Sequence, residues 1–199
     1  ADLRDILLRE EILDVSDLVA PEPVSWEELA LFHDGAYLEK LRRGGLSRDE
    51  ERRMRLPWSE RLVHRSRVAV RGTINALLMT LEDGIAANLA GGTHHAFSTH
   101  GEGFCVLNDV GVGIRLLQAR DLVRRVLIID LDVHQGNANA AGFAGDERVF
   151  TFSVHGKNNY PREKPPSSLD IAMPDGTSDV EYLSMLEVEL PRVFEAARP

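Results

Sequence analysis

Apolar residues recur at helical spacing in several stretches of the chain and run together without interruption in two others. Leu29, Phe32 and Ala36 of WEELALFHDGAYLEKL share one helical face. Ser25 and Glu28 ahead of them form a capping-box pair, and Gly44-Gly45 closes the segment. Residues 47–55 are charge-dense and read as a solvated loop or a short helix, and Leu56-Pro57-Trp58-Ser59 breaks the pattern. Residues 63–81 predict a helix with Val68, Ile74, Leu77, Leu78 and Leu81 towards the core and Gly84 as its C-cap. Asn108 or Asp109 caps a further helix that buries Val112, Leu116 and Leu117. Ser178 with Glu181 opens a last helix over 180–197, in which Pro191 predicts a kink or break.

The uninterrupted apolar runs are strand-like. Val126 to Ile129 are four consecutive apolar residues, the pattern of a strand buried on both faces of a parallel sheet. Residues 149–154 form a second such run, with a short helix of small residues over Asn137–Gly142 between them. Residues 157–168 hold three prolines and read as a loop, and Asp175-Gly176 as a turn. Helices alternating with buried strands define an α/β fold, an open parallel sheet flanked by helices. A length of 199 residues fits one domain over 1–199.

Composition narrows the function classes. With 43% hydrophobic and 28% charged residues the chain can bury a core, which excludes wholesale disorder. The only cysteine, Cys105, cannot form an intramolecular disulfide, and its apolar neighbours Phe104 and Val106 favour a buried, inert thiol. There is no apolar run of membrane-spanning length, and the charged start ADLRDILLREE lacks a signal core, so the expected compartment is cytoplasmic. A net charge of −9 argues against a general nucleic-acid binder, while leaving room for a local site that takes a cationic or neutralised-lysine ligand.

Two segments carry candidate chemistry. GGTHHAFSTHGEGFCVLND is rich in glycine and histidine and has no periodicity, which in a domain of this size points to function. Its adjacent His94 and His95 suit an acid–base pair beside an activated water, or are incidental loop residues. Gly91, Gly92, Gly101 and Gly103 around them permit tight turns. The second segment places Asp130, Asp132 and His134 at alternate positions at the end of the first strand, where extended geometry points all three the same way. Ligands collect at the carboxyl ends of such strands. Carboxylate oxygen with imidazole nitrogen suits zinc or another borderline divalent metal. The plainer reading makes Asp130 a helix cap and His134 a satisfied loop histidine.

Together, GGTHHAFSTHGEGFCVLND and VLIIDLDVHQGN resemble the zinc-dependent histone deacetylase family, which has the arginase/deacetylase fold. FHDGAYLEKL, LPWSERLVHRSRVAVRGTI and FTFSVHGKNNYPREKPPSSLDIAMPDGTSDVEYL are similar to its flanking regions, and HQGN with NNYP is more similar to the bacterial and class IV branch than to the classical nuclear enzymes. The resemblance implies that Asp132 and His134 bind Zn2+, and that the metal polarises the acyl carbonyl and activates a water. It implies His95 as the main base and then acid to the leaving amine, with His94 assisting and Asp130 orienting His94. It further implies a structural K+ held by Asp130 and Ser153 with backbone oxygens of Asp132, His134 and Val154. Gly103, Phe104 and Tyr160 match a tunnel that grips an acyl-lysine chain. The expected partners are acetylated lysine in a peptide or protein, or a small acetylated amine such as a polyamine.

Three departures accompany the resemblance. Asn137 stands where many members have an aspartate partner for the second histidine, and Ala138 replaces a common glycine. The third zinc ligand, an aspartate, and the transition-state tyrosine follow the last helix in the family, so the fold is expected to be incomplete at the C-terminus, and the family's first strand is not seen at the front. Asp170 or Asp175 is the substitute ligand that the chain itself offers. Two other readings stand beside the deacetylase: a module that binds acylated ligands without turnover, and a ureohydrolase-like enzyme with two manganese ions. The second would want further Asp/His pairs.

Overall fold

A computed structural model describes residues 2–199. The first half is helical: α1 (Asp2–Arg9), α2 (Trp26–Leu29), α3 (Gly35–Arg43), α4 (Arg48–Met54) and α5 (Glu60–Asp83). Then come α6 (Asp109–Ala119), β1 (Val126–Asp130), α7 (Asn137–Gly142), β2 (Val149–Gly156), β3 (Leu169–Met173) and α8 (Asp179–Ala197). The three strands form one parallel sheet in the order β1-β2-β3. None of the described helices is long and apolar enough to cross a membrane.

Apolar packing sets the layers. Leu29, Leu41, Met54, Val70, Ile74 and Val112 knit α2 to α6 into one core. Ile114 of α6 and Phe143 after α7 pack on Ile128 and Val149, on one face of the sheet. Phe152 and Val154 point to the other face, where Val193 of α8 covers them. The register pairs Asp130 with Ser153, so strand alternation puts Asp130 on the face of Ile128, towards α6 and α7.

Several expectations needed correction. The segment after Ser25 is two helices, because Asp34 starts a new one by accepting from the backbone N–H groups of Ala36 (2.8 Å) and Tyr37 (3.3 Å). Ala36 is exposed, and Tyr37, Leu38 and Leu41 are buried in its place. The charge-dense stretch takes the second of its two readings, a short helix over 48–54, with Ser47 accepting from Glu50 N–H. In α5 the fully buried residues are Val63, Val70 and Ile74, whereas Leu81 is 49% exposed near the end of the helix.

β1 is not buried on both faces. Among the described strands it pairs with β2 alone, and Ile129, on the side facing α8, is 36% exposed. β3 was not anticipated, since LDIAM is short, is interrupted by Asp170, and lies between a proline-rich loop and a turn. α8 runs through Pro191 without a break. A proline removes one intrahelical hydrogen bond, and the burial of Val193 and Ala197 beyond it keeps the last turns in place.

Candidate metal centre and histidine pair

The loop that carries His94 and His95 is held from below by two buried residues at the start of α6. Asn108 caps the helix by accepting from Gly111 N–H (2.7 Å), and donates to the Ala96 carbonyl (3.1 Å) and to Asn139 Oδ1 (2.9 Å). Asp109 accepts from Gly92 N–H (2.9 Å), Thr93 N–H (2.8 Å), the Thr93 hydroxyl (2.6 Å) and the Thr73 hydroxyl. Asp109 also sits in the first turn of α6, where a helix favours negative charge. His33 closes the base, its Nε2 accepting from Asn108 N–H at 2.9 Å.

The carboxyl end of β1 supplies the other half. His94 Nδ1 lies 2.7 Å from Asp130 Oδ2, and both side chains are nearly buried. Gly136 passes so close to that carboxylate that a Cβ would run into it, so position 136 has to be glycine. β1 ends at Asp130, and strand alternation therefore does not align the three residues as expected. Carboxylate-closed turns do so instead: Asp130 accepts from Asp132 N–H (3.2 Å) and Asp132 from His134 N–H (2.8 Å). These turns bring Asp132 Oδ1 to 3.0 Å from His134 Nδ1.

That separation bears on metal binding. Two ligands on one tetrahedral zinc, each at its usual bond length, lie about 3.3 Å apart. The oxygen and nitrogen of this pair are already within a few tenths of an ångström of that distance, and both side chains are open to solvent. The donor set thus fits zinc as two of its ligands. Among the described residues no three His, Cys, Asp or Glu side chains converge on one point. Asp170 accepts from Gln135 Nε2 (2.9 Å) and Ser167 N–H (2.7 Å), and Asp175 from Asn158 Nδ2 (2.9 Å). Neither carboxylate is gathered with Asp132 and His134, so neither takes the place of the third ligand.

His95 joins the two halves. Its ring centroid is 4.1 Å from that of His94 and 5.7 Å from that of His134. Its Nδ1 lies 2.6 Å from Asn137 Oδ1. Burial and the neighbouring His94 charge push the pKa of His95 below the ordinary value, against the Asn137 hydrogen bond. At His94 burial works the same way, but the hydrogen bond and charge of Asp130 outweigh it and the net shift is upward. The pair is thus divided into one ring that favours the proton and one that releases it, the pattern of distinct acid–base roles.

Gly103 and Tyr160 meet beside His95, and Phe104 follows next in the chain. Tyr160 stands edge-on to the ring at 4.9 Å, and a Cβ on Gly103 would come within 2.8 Å of His95 Cδ2. Phe104 is 59% exposed and holds a positive φ of 68°, unusual for a residue with a side chain. It is kept there by donating its N–H to the Met54 carbonyl (2.9 Å), with the Arg55 guanidinium 5.7 Å from its ring. A cleft of about 770 Å³ opens here, with Arg55, Phe97, Glu102, Asn137 and Tyr160 in its wall. Ser153 stands in register beside Asp130, and Val154 is buried under α8. Cys105 is buried, which pushes its thiol pKa up to about 11.

Two residues of this site escaped the sequence reading. The sequence marks Asp109 only as a helix cap. Glu102 stands between Gly101 and Gly103, and its Oε1 accepts from Asn137 Nδ2 at 3.0 Å and from the Tyr160 hydroxyl at 2.5 Å. A lone acid between two glycines, shortly after a histidine pair, was the available signal.

Fold and site together define an α/β protein with a polar centre at the carboxyl end of its sheet, and comparison with known proteins agrees. Residues 2–199 match the histone deacetylase domain. An uncharacterised protein of Picosynechococcus sp. is 41% identical over 197 residues, covering 99% of this chain and 66% of that protein. Histone deacetylase 8 of Xenopus laevis is 30% identical, covering 93% of this chain and 63% of that protein. The crystal structure of an HDAC homolog from Aquifex aeolicus superposes with a TM-score of 0.82 at 29% identity, over 95% of this chain and 56% of that one. The chain belongs to the histone deacetylase family. It spans about two thirds or less of the length of each of these relatives.

Proposed function

We propose that the protein carrying this domain is a zinc-dependent amidohydrolase that removes an acyl group, acetyl first, from lysine side chains of proteins. Small acetylated amines such as polyamines are the alternative substrates. The observation that carries the reading is the 3.0 Å approach of Asp132 Oδ1 and His134 Nδ1 beside the paired imidazoles of His94 and His95. Asp132 and His134 would hold the metal, and a catalytic zinc takes one further protein ligand. Zinc, when bound, supplies a Lewis acid that polarises the acyl carbonyl and makes a water acidic enough to attack it near neutral pH.

The chain's own residues supply the proton transfers. With Nδ1 donating to Asn137, the Nε2 of His95 is free to take a proton from the attacking water. A C–O bond forms, the amide C–N bond breaks, and His95 returns the proton to the leaving amine. His94, held by Asp130, adds positive charge where negative charge develops on the acyl oxygen. Gly103, Phe104 and Tyr160 would line the passage for the acyl-lysine chain, apolar walls suiting its methylenes. Asp130 and Ser153, side by side in register, are the side chains proposed for a structural K+, together with backbone oxygens of Asp132, His134 and Val154.

The test is metal analysis of the full-length protein together with acetate release from an acetyl-lysine peptide. One zinc per chain with release supports the reading. Peptide binding without release at saturating zinc would overturn it in favour of a binding module. His95→Ala should lower turnover by roughly 10²- to 10⁴-fold while the fold is kept.

A further inference from the structure

The amide of Asn137 can face His95 with either its oxygen or its nitrogen, two arrangements of nearly the same shape and opposite chemistry. With the oxygen towards His95, Nδ1 carries the ring proton and Nε2 keeps a lone pair for base catalysis. With the NH2 group towards His95, Nδ1 must accept, the proton moves to Nε2, and the base is lost. A carboxylate at position 137 would face no such choice, since both its oxygens only accept.

The neighbour on the far side of the amide decides. Glu102 Oε1 lies 3.0 Å from Asn137 Nδ2, and an ionised carboxylate accepts only, so Asn137 must donate there and turn its oxygen to His95 Nδ1, at 2.6 Å. The same Oε1 accepts from the Tyr160 hydroxyl at 2.5 Å, and Tyr160 packs edge-on against the His95 ring. Glu102 is itself held in place. Its backbone exchanges two hydrogen bonds with Cys105 (3.0 and 2.8 Å), its Oε2 lies 3.6 Å from His100 Nε2, and the next residue donates to the Arg53 carbonyl.

We infer that Glu102 is a positioning residue: by fixing the orientation of the Asn137 amide it sets the Nδ1–H tautomer of His95 and keeps Nε2 available as the base. The inference rests on the reading of His95 as base, but its first test does not depend on turnover. Full-length protein labelled with ¹⁵N-histidine reports the tautomer directly through its imidazole nitrogen shifts. The unsubstituted protein should show His95 protonated at Nδ1. E102L should show a mixture or the Nε2–H form. Its kcat should fall about 10- to 100-fold while KM moves less than about 3-fold.

A double substitution separates positioning from packing. Adding N137D to E102L restores an acceptor that cannot be flipped, so the Nδ1–H signal and most of the turnover should return. In the presence of Glu102, N137D sets two carboxylates 3.0 Å apart and should lower turnover. If E102L does not fold, the near-isosteric cycle of N137D and E102Q/N137D answers the same question. There E102Q should improve on N137D alone, because the introduced amide can donate to the introduced carboxylate. A wild-type His95 spectrum in folded E102L, or no recovery in either double variant, overturns the inference. A protein with no turnover whose His95 tautomer is nonetheless released by E102L leaves the role of Glu102 standing and defeats the hydrolase reading instead.

Discussion

His33 lies 3% exposed beneath the loop that carries His94 and His95, and acid should act on the fold through it. Its Nε2 accepts from Asn108 N–H at 2.9 Å and its Nδ1 is 3.3 Å from the Ser98 carbonyl. A protonated ring would turn an N–H against the Asn108 N–H. Burial lowers the pKa of His33 to about 4, and hydrogen bonds to Ser98 and Phe97 offset this only in part. In the unfolded chain the group titrates near 6.5. Between those values the unfolded state binds more protons, so the stability is present above pH 6.5 and is lost as pH falls towards 4. Integration gives a loss of about 2 kcal/mol between pH 7 and pH 5, and about 3 kcal/mol by pH 4. Urea unfolding at pH 7 and pH 5 measures it, and His33→Gln isolates it by removing the titrating ring while keeping an acceptor. If the two proteins lose equal stability over that interval, His33 is not the group responsible.

Three further outcomes follow from the geometry. Asp109→Asn replaces a buried acceptor of four hydrogen bonds with a group that must turn an NH2 towards some of those donors. It should cost about 2–4 kcal/mol in urea unfolding and lower turnover through displacement of His94. Asp132→Ala should abolish zinc retention on dialysis with little loss of thermal stability, since its side chain is half-exposed; retained zinc would remove Asp132 from the ligand set. Phe104→Ala should raise KM for acyl-lysine peptides while changing stability by less than about 0.5 kcal/mol, because the ring is mostly exposed. An unchanged KM would deny the ring a part in gripping substrate.

Much of the site was legible because its chemistry is concentrated in two short segments. His94-His95 and Asp130-Asp132-His134 stand out as residue types that a domain does not gather without cause. Their partnership was visible only through resemblance, since the two segments lie 36 residues apart between His94 and Asp130. Glu102 was not legible as a partner of Asn137 and Tyr160, because 35 and 58 residues separate them and a single glutamate in a loop carries no pattern. Asp109 could be seen as a cap but not as the anchor of Gly92 and Thr93, a role set by how the loop folds back on α6.

Local preference and periodicity settled α5, α6 and α8, several caps and the two apolar strands, because each depends on neighbours within a turn or two of chain: Ser25 with Glu28, Ser178 with Glu181, Gly84 after α5. Tertiary structure decided what depends on distant partners. It left β1 paired with β2 alone among the described strands and paired LDIAM into the sheet as β3. It also brought His95 and Asn137, 42 residues apart, within 2.6 Å of each other. Burial and long-range hydrogen bonds are properties of pairs brought together by folding, and no pattern along the chain encodes which glutamate will hold which amide.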